Sequence, residues 1–155
     1  MRRALLVLLG VLALVLGMTP PASATVVQVR GVQTPVDDVH AAMTGDLVGT
    51  WTLTDFRDLV VHPAGNLKAS GAELFEGCLD VGGDGSCGPG DPAGWITFTF
   101  EFSTAVSGNG RCHHPVTDAG GDFAGATGQL TMKDRVGSCG ELRTTYSGHL
   151  ALAAR

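Results

Sequence analysis

The chain has 155 residues and a formal charge of −5, from ten basic and fifteen acidic side chains. That length suits one domain. An acidic chain whose bases form no run is a poor match for nucleic acid or anionic membranes, which reward clustered Lys and Arg.

The first segment has the layout of an export signal. Arg2 and Arg3 precede an apolar run over residues 4–17, Pro20 and Pro21 break any helix, and Ala22-Ser23-Ala24 is a small-x-small cleavage site. Fourteen apolar residues fall short of the roughly 18 to 20 that span a bilayer. The sequence therefore predicts a signal peptide over residues 1–24 and one secreted, extracellular domain over residues 25–155. Losing Arg2 and Arg3 with the leader takes the formal charge from −5 to −7.

Downstream, helical spacing is nearly absent except for a weak stretch over residues 36–43. Period-two alternation, the mark of a strand with one buried face, recurs instead. A first strand is expected over residues 25–32. In residues 47–53, Leu47, Gly49, Trp51 and Leu53 share one face. Residues 67–78 form a weaker strand, in which Glu73 falls in phase with Leu67, Ala69 and Phe75. Residues 95–102 give the clearest pattern, with Ile96, Phe98, Phe100 and Phe102 against Trp95, Thr97, Thr99 and Glu101. Residues 126–133 place Ala126, Gly128, Leu130 and Met132 together, and residues 142–152 place Leu142, Thr144, Tyr146, Gly148, Leu150 and Leu152 together. Turn signals separate these runs at residues 62–66, 82–94, 107–110 and 118–121.

Six or more short strands without helices predict an all-β fold. An antiparallel up-and-down barrel of about eight strands, braced by disulfides, is preferred to a β-sandwich because closure removes exposed edges. Cys78, Cys87, Cys112 and Cys139 read as two disulfides of an exported protein. Three connectivities are open, and Cys78–Cys87 with Cys112–Cys139 is favoured because the first pair closes a short glycine-rich loop. No pair has the spacing of a zinc site.

The stretch Gly120-Gly121-Asp122-Phe123-Ala124-Gly125-Ala126-Thr127-Gly128 resembles the G-x-G-x-F-x-G-A-T-G motif of allene-oxide-cyclase-like and dirigent-like (calycin-type) barrels. Gly-Asp-Leu-Val-Gly-Thr-Trp at residues 45–51 is similar to the opening strand of lipocalin-like barrels. The first stretch has Gly-Gly-Asp where the motif has Gly-Thr-Gly, and together the two cover 16 residues. The resemblance implies an eight-stranded antiparallel barrel with an apolar cavity. It carries over no catalytic residue.

Several residues invite chemistry. Glu73 on an inward face would be a general acid or base; the plainer role is an ion pair with Arg57, Arg111 or Arg143. Cys112-His113-His114-Pro115 contains two imidazoles, but neighbours on a strand point to opposite faces and cannot both grip one ion. Residues 80–86 are faintly similar to a calcium loop without its terminal glutamate. Trp51, Phe75, Phe98, Phe100 and Tyr146 are candidates to line a cavity, although a domain this small needs most of its aromatics for its core. The expected function is a secreted, non-catalytic barrel that binds a small apolar ligand or a cell-surface protein, with no metal, cofactor, nucleic acid or membrane partner. The alternatives are an isomerase or cyclase using Glu73 on a hydrophobic substrate, and a protease inhibitor presenting the loop between Cys78 and Cys87.

Overall fold

The computed structural model describes residues 24–106, 108–136 and 142–154. Nearly all of the expected leader, and Cys139, lie outside them. Eight strands follow in order: β1 (Thr25–Pro35), β2 (His40–Gly45), β3 (Leu47–Val61), β4 (Leu67–Leu79), β5 (Ala93–Thr104), β6 (Gly110–Gly121), β7 (Thr127–Val136) and β8 (Leu142–Leu152). Each pairs antiparallel with the next, and β8 pairs with β1, closing an up-and-down barrel. The all-β barrel expectation holds.

The alternation in the sequence decides which side chains fill the barrel. In β5, Ile96, Phe98 and Phe100 are buried and Trp95 is exposed. Leu47 and Trp51 of β3, Phe75 of β4, Leu130 and Met132 of β7, and Tyr146 and Leu150 of β8 complete the core. Trp51 stacks on Phe98 with ring centroids 4.9 Å apart, beyond the contact that burial alone requires.

Two strands have no counterpart in the alternation pattern. β2 occupies the stretch with weak helical spacing, because its six residues pair with β1 on one side and β3 on the other. β6 includes Pro115 and the expected turn at residues 118–121; the turn lies instead at residues 122–125. Proline cannot donate to a ladder. The β5–β6 pairing accordingly runs to Phe98 with Val116 and resumes at Glu101 with His113, stepping past Pro115.

The hairpins β1–β2, β3–β4, β5–β6 and β7–β8 share one end of the barrel. The opposite end carries the long β4–β5 loop, closed by the Cys78–Cys87 disulfide. The Asp80 carboxylate accepts backbone N–H bonds from Gly83, Asp84 and Gly85, and Asp91 accepts those of Val81 and Gly88. These carboxylates organise a turn, which accounts for the acidic pattern at residues 80–86. Cys112 is a free, buried thiol, and the expected Cys112–Cys139 pairing falls on Cys139, outside the described residues. The even spacing of β6 explains the burial: Cys112 lies in phase with buried His114 and points into the barrel rather than to the surface.

Candidate functional site

Glu73 and His114 meet inside the barrel although their strands, β4 and β6, are separated by β5. Alternation brings each inward: Glu73 shares the face of Ala69 and Phe75, and His114 that of Cys112. Nε2 of His114 lies 2.7 Å from Oε2 of Glu73, with the His114 side chain 1% exposed and that of Glu73 15%. The contact is an ion pair by distance but not an aligned hydrogen bond: Glu73 Oε2 and His114 Nδ1 both lack a hydrogen-bond partner. Neither Arg57, Arg111 nor Arg143 is the partner of Glu73; Arg57 is bound to Asp55 on the surface. His113, by contrast, is exposed on the outer wall.

Aromatic rings enclose the imidazole. Trp51 meets it edge-on with centroids 5.4 Å apart, and Phe98 and Phe100 lie at 6.4 and 6.1 Å. The indole Nε1 of Trp51 is buried and also without a partner. More than nine in ten buried polar groups in native proteins are satisfied. His114 Nδ1 and the adjacent Trp51 Nε1–H therefore mark a place where the chain leaves hydrogen bonds to be made.

A cavity of about 140 Å³ adjoins the pair, bounded by Glu73, His114, Phe100, Phe102, Cys112 and Met132, with Gln33, Asp134 and Thr144 towards the hairpin end. Thr144 donates its hydroxyl to Asp134 at 2.7 Å, which turns that carboxylate inward. Burial, and then the charges of Glu73 and Asp134, push the Cys112 thiol well above its ordinary range, so it stays protonated and unreactive. Glycine makes room for the wall: a Cβ on Gly71 would stand 2.5 Å from the Phe100 ring and 2.1 Å from the Asp55 carbonyl oxygen. Wider depressions of about 860 and 440 Å³ lie between hairpins and on the outer wall, away from this cluster.

Of the aromatics expected around a cavity, Phe100 lines it. Trp51 and Phe98 lie behind His114, Phe75 packs against Phe123 in the core, and Tyr146 serves the opposite end. There its hydroxyl accepts the Leu47 N–H at 2.8 Å and faces the Thr44 carbonyl at 3.2 Å. His114, Cys112 and Asp134 were not read as a cluster from sequence. Their shared phase within β6 and β7 was the available signal, and it could be used only once β6 was recognised as a strand.

Chemically, the cluster holds two carboxylates, one imidazole and an apolar wall in a space the size of a single ring. It can accept hydrogen bonds from a ligand, and it can pass a proton between Glu73 and His114. Among the described residues, no three His, Cys, Asp or Glu side chains converge in a way that would hold a metal ion. A closed eight-stranded barrel hosts many unrelated functions, so the fold does not by itself tie the chain to the allene-oxide-cyclase-like group. No protein-family model matches the chain, and comparison with curated proteins and with solved structures finds no match.

Proposed function

We propose that the protein is a small-molecule-binding barrel whose interior takes one compact, largely apolar ligand bearing both a hydrogen-bond donor and an acceptor. The observation that carries this reading is the buried Glu73–His114 pair beside that space, with His114 Nδ1 and the Trp51 Nε1–H donor left without partners. The adjoining volume of about 140 Å³ is close to that of an engineered cavity of roughly 150 Å³ that binds benzene. Phe100, Phe102 and Met132 supply apolar contact, while Glu73 and Asp134 favour a donor or a cation over an anion. The Cys78–Cys87 bridge suits an oxidising compartment, which fits a protein exported to act outside the cell.

The test is native mass spectrometry of the protein purified from its own culture medium, followed by titration of the released compound. A bound molecule that is retained by the parent and lost on Glu73→Gln or His114→Phe supports the reading. An interior containing only water, with Trp51 fluorescence unmoved by a library of ring-sized amines, phenols and alcohols, would overturn it.

The 2.7 Å approach of Glu73 to His114 favours a second reading, acid–base catalysis on the bound molecule. A carboxylate and an imidazole in contact can remove a proton at one position of a substrate and return it at another, which is isomerisation without a cofactor. Exchange of solvent deuterium into the bound compound, abolished in Glu73→Gln, distinguishes a catalyst from a carrier.

A further inference from the structure

The fold gathers bases that are scattered along the chain. Register places Lys68, Ser103, Arg111 and Lys133 in one outward-facing row across β4, β5, β6 and β7. One step nearer the hairpin end, Arg135 lies directly opposite Arg143. Among the described residues none of these five bases has a carboxylate within ion-pair distance. Half of the described acids of that end are committed elsewhere: Asp55 to Arg57, Asp134 inward to Thr144, and Asp37 to the amides of its own turn and to His40. Asp38, Asp58 and Glu101 remain among the described residues, and Asp58 and Glu101 line one outer depression with Lys68 and Arg111. Like charges directly opposite on a sheet are unfavourable, so the Arg135–Arg143 pair, with no described carboxylate within ion-pair distance, is the part of the strip least offset.

The tips beyond the strip are apolar. Every hairpin of that end carries an exposed hydrophobic side chain: Val36 (69%), Val61 (63%), Val106 (71%) and Leu142 (54%). At the opposite end Val26 (60%) and Val81 (69%) are comparable among the described residues, but they are two side chains and not one on every hairpin. A soluble polyanion would use the bases and leave the valines in water. A bilayer surface uses both, because apolar side chains enter the acyl boundary while Lys and Arg sit at headgroup level.

We propose that the hairpin end docks on an anionic lipid bilayer, with the four tips inserted and the Lys68–Arg111–Lys133 row and the Arg135–Arg143 pair against the headgroups. The acidic β4–β5 loop at the other end is then held furthest from the surface. This proposal is independent of the cavity: vesicle binding with an empty interior leaves it standing.

The experiment is co-sedimentation of the processed chain from Thr25, which contains all eight strands, with phosphatidylcholine vesicles with or without about 30% phosphatidylglycerol at about 0.1 M salt. Binding is expected to the anionic vesicles and not to phosphatidylcholine alone. Each base near such a surface contributes roughly five-fold, so Lys133→Glu with Arg135→Glu should weaken partitioning at least about 20-fold. Val61→Asp with Val106→Asp should also weaken it, each variant being checked for β-sheet dichroism. No binding of the parent, equal binding of the charge-reversed variant, or binding of soluble polyphosphate without vesicles would each overturn the proposal.

Discussion

Glu73 of β4 reaches across β5 to place Oε2 2.7 Å from Nε2 of His114 on β6, so two polar side chains share a wall otherwise made of Trp51, Phe98 and Phe100. Breaking a buried pair strands the surviving partner, whereas replacing both members with apolar groups is often neutral or stabilising. Glu73→Leu alone should therefore cost about 1–3 kcal/mol by leaving His114 without its carboxylate. Glu73→Leu with His114→Leu should recover most of that loss. Urea unfolding of the four proteins in a double-mutant cycle measures it, and simple additivity of the two single losses would show that the pair is not coupled.

The Cys78–Cys87 bridge closes a loop with a sequence separation of nine, and its stabilisation on chain-entropy grounds is about 2–3 kcal/mol. Cys78→Ala with Cys87→Ala should lower stability by that order in denaturant melts. It should leave ligand binding at the Glu73–His114 cluster intact, because the loop lies at the opposite end of the barrel. Loss of binding in a protein that is still folded would mean that the two ends are coupled.

Gly71 sits where β4 passes Phe100 and the bulged segment of β3, whose pairing shifts between Leu53 and Asp55. A methyl group there would meet the Asp55 carbonyl oxygen at 2.1 Å, and backbone cannot retreat as a flexible side chain can. Gly71→Ala should cost about 1–3 kcal/mol, the usual range for overpacking. It should also shift Phe100 and change the cavity, which Trp51 fluorescence would report. A variant as stable as the parent would show that β3 moves freely away from β4.

The barrel was legible wherever alternation was strict. Ile96, Phe98 and Phe100 leave no doubt about the inward face of β5, and Glu73 could be placed inward from its phase with Phe75. β2 and β6 were not legible, for different reasons. His40-Ala-Ala-Met-Thr-Gly is short and has the Ala and Met of a helix former, and only closure of the sheet makes it a strand. β6 presents Cys112 and His114 to the interior where an apolar run would normally announce a strand, and Pro115 suggests a loop. The candidate site was half hidden for the same reason: Glu73 was visible as an inward carboxylate, but its partner lies on the strand whose polar interior conceals it. Adjacent His113 and His114 do diverge to opposite faces, as strand geometry requires. The charge row was invisible because it is created by register across β4 to β7 and not by neighbours in sequence.

Tyr146, the sole tyrosine of the chain, offers a pH test free of overlapping signals. Its hydroxyl is buried against the Leu47 amide and the Thr44 carbonyl at the β2–β3 turn, and a Cβ on Gly31 would stand 2.4 Å from it. Burial, more than the nearby Asp46 charge, pushes the phenol up to about 12, while the Leu47 N–H works in the other direction. An unfolded tyrosine ionises near 10, so between about pH 10 and 12 the unfolded chain has released a proton that the native chain still holds. Native stability from this group is full below the unfolded value and falls as pH rises towards the native one, by roughly 2–3 kcal/mol across the window. Tyrosinate absorbance should accordingly stay flat past pH 10 and then rise together with loss of β-sheet dichroism. In Tyr146→Phe the alkaline loss should vanish, although the variant starts about 1–3 kcal/mol less stable because the buried Leu47 N–H is left unpaired. Ionisation near 10 in a barrel that is still folded would show that the hydroxyl is reached by water and does not lock the turn.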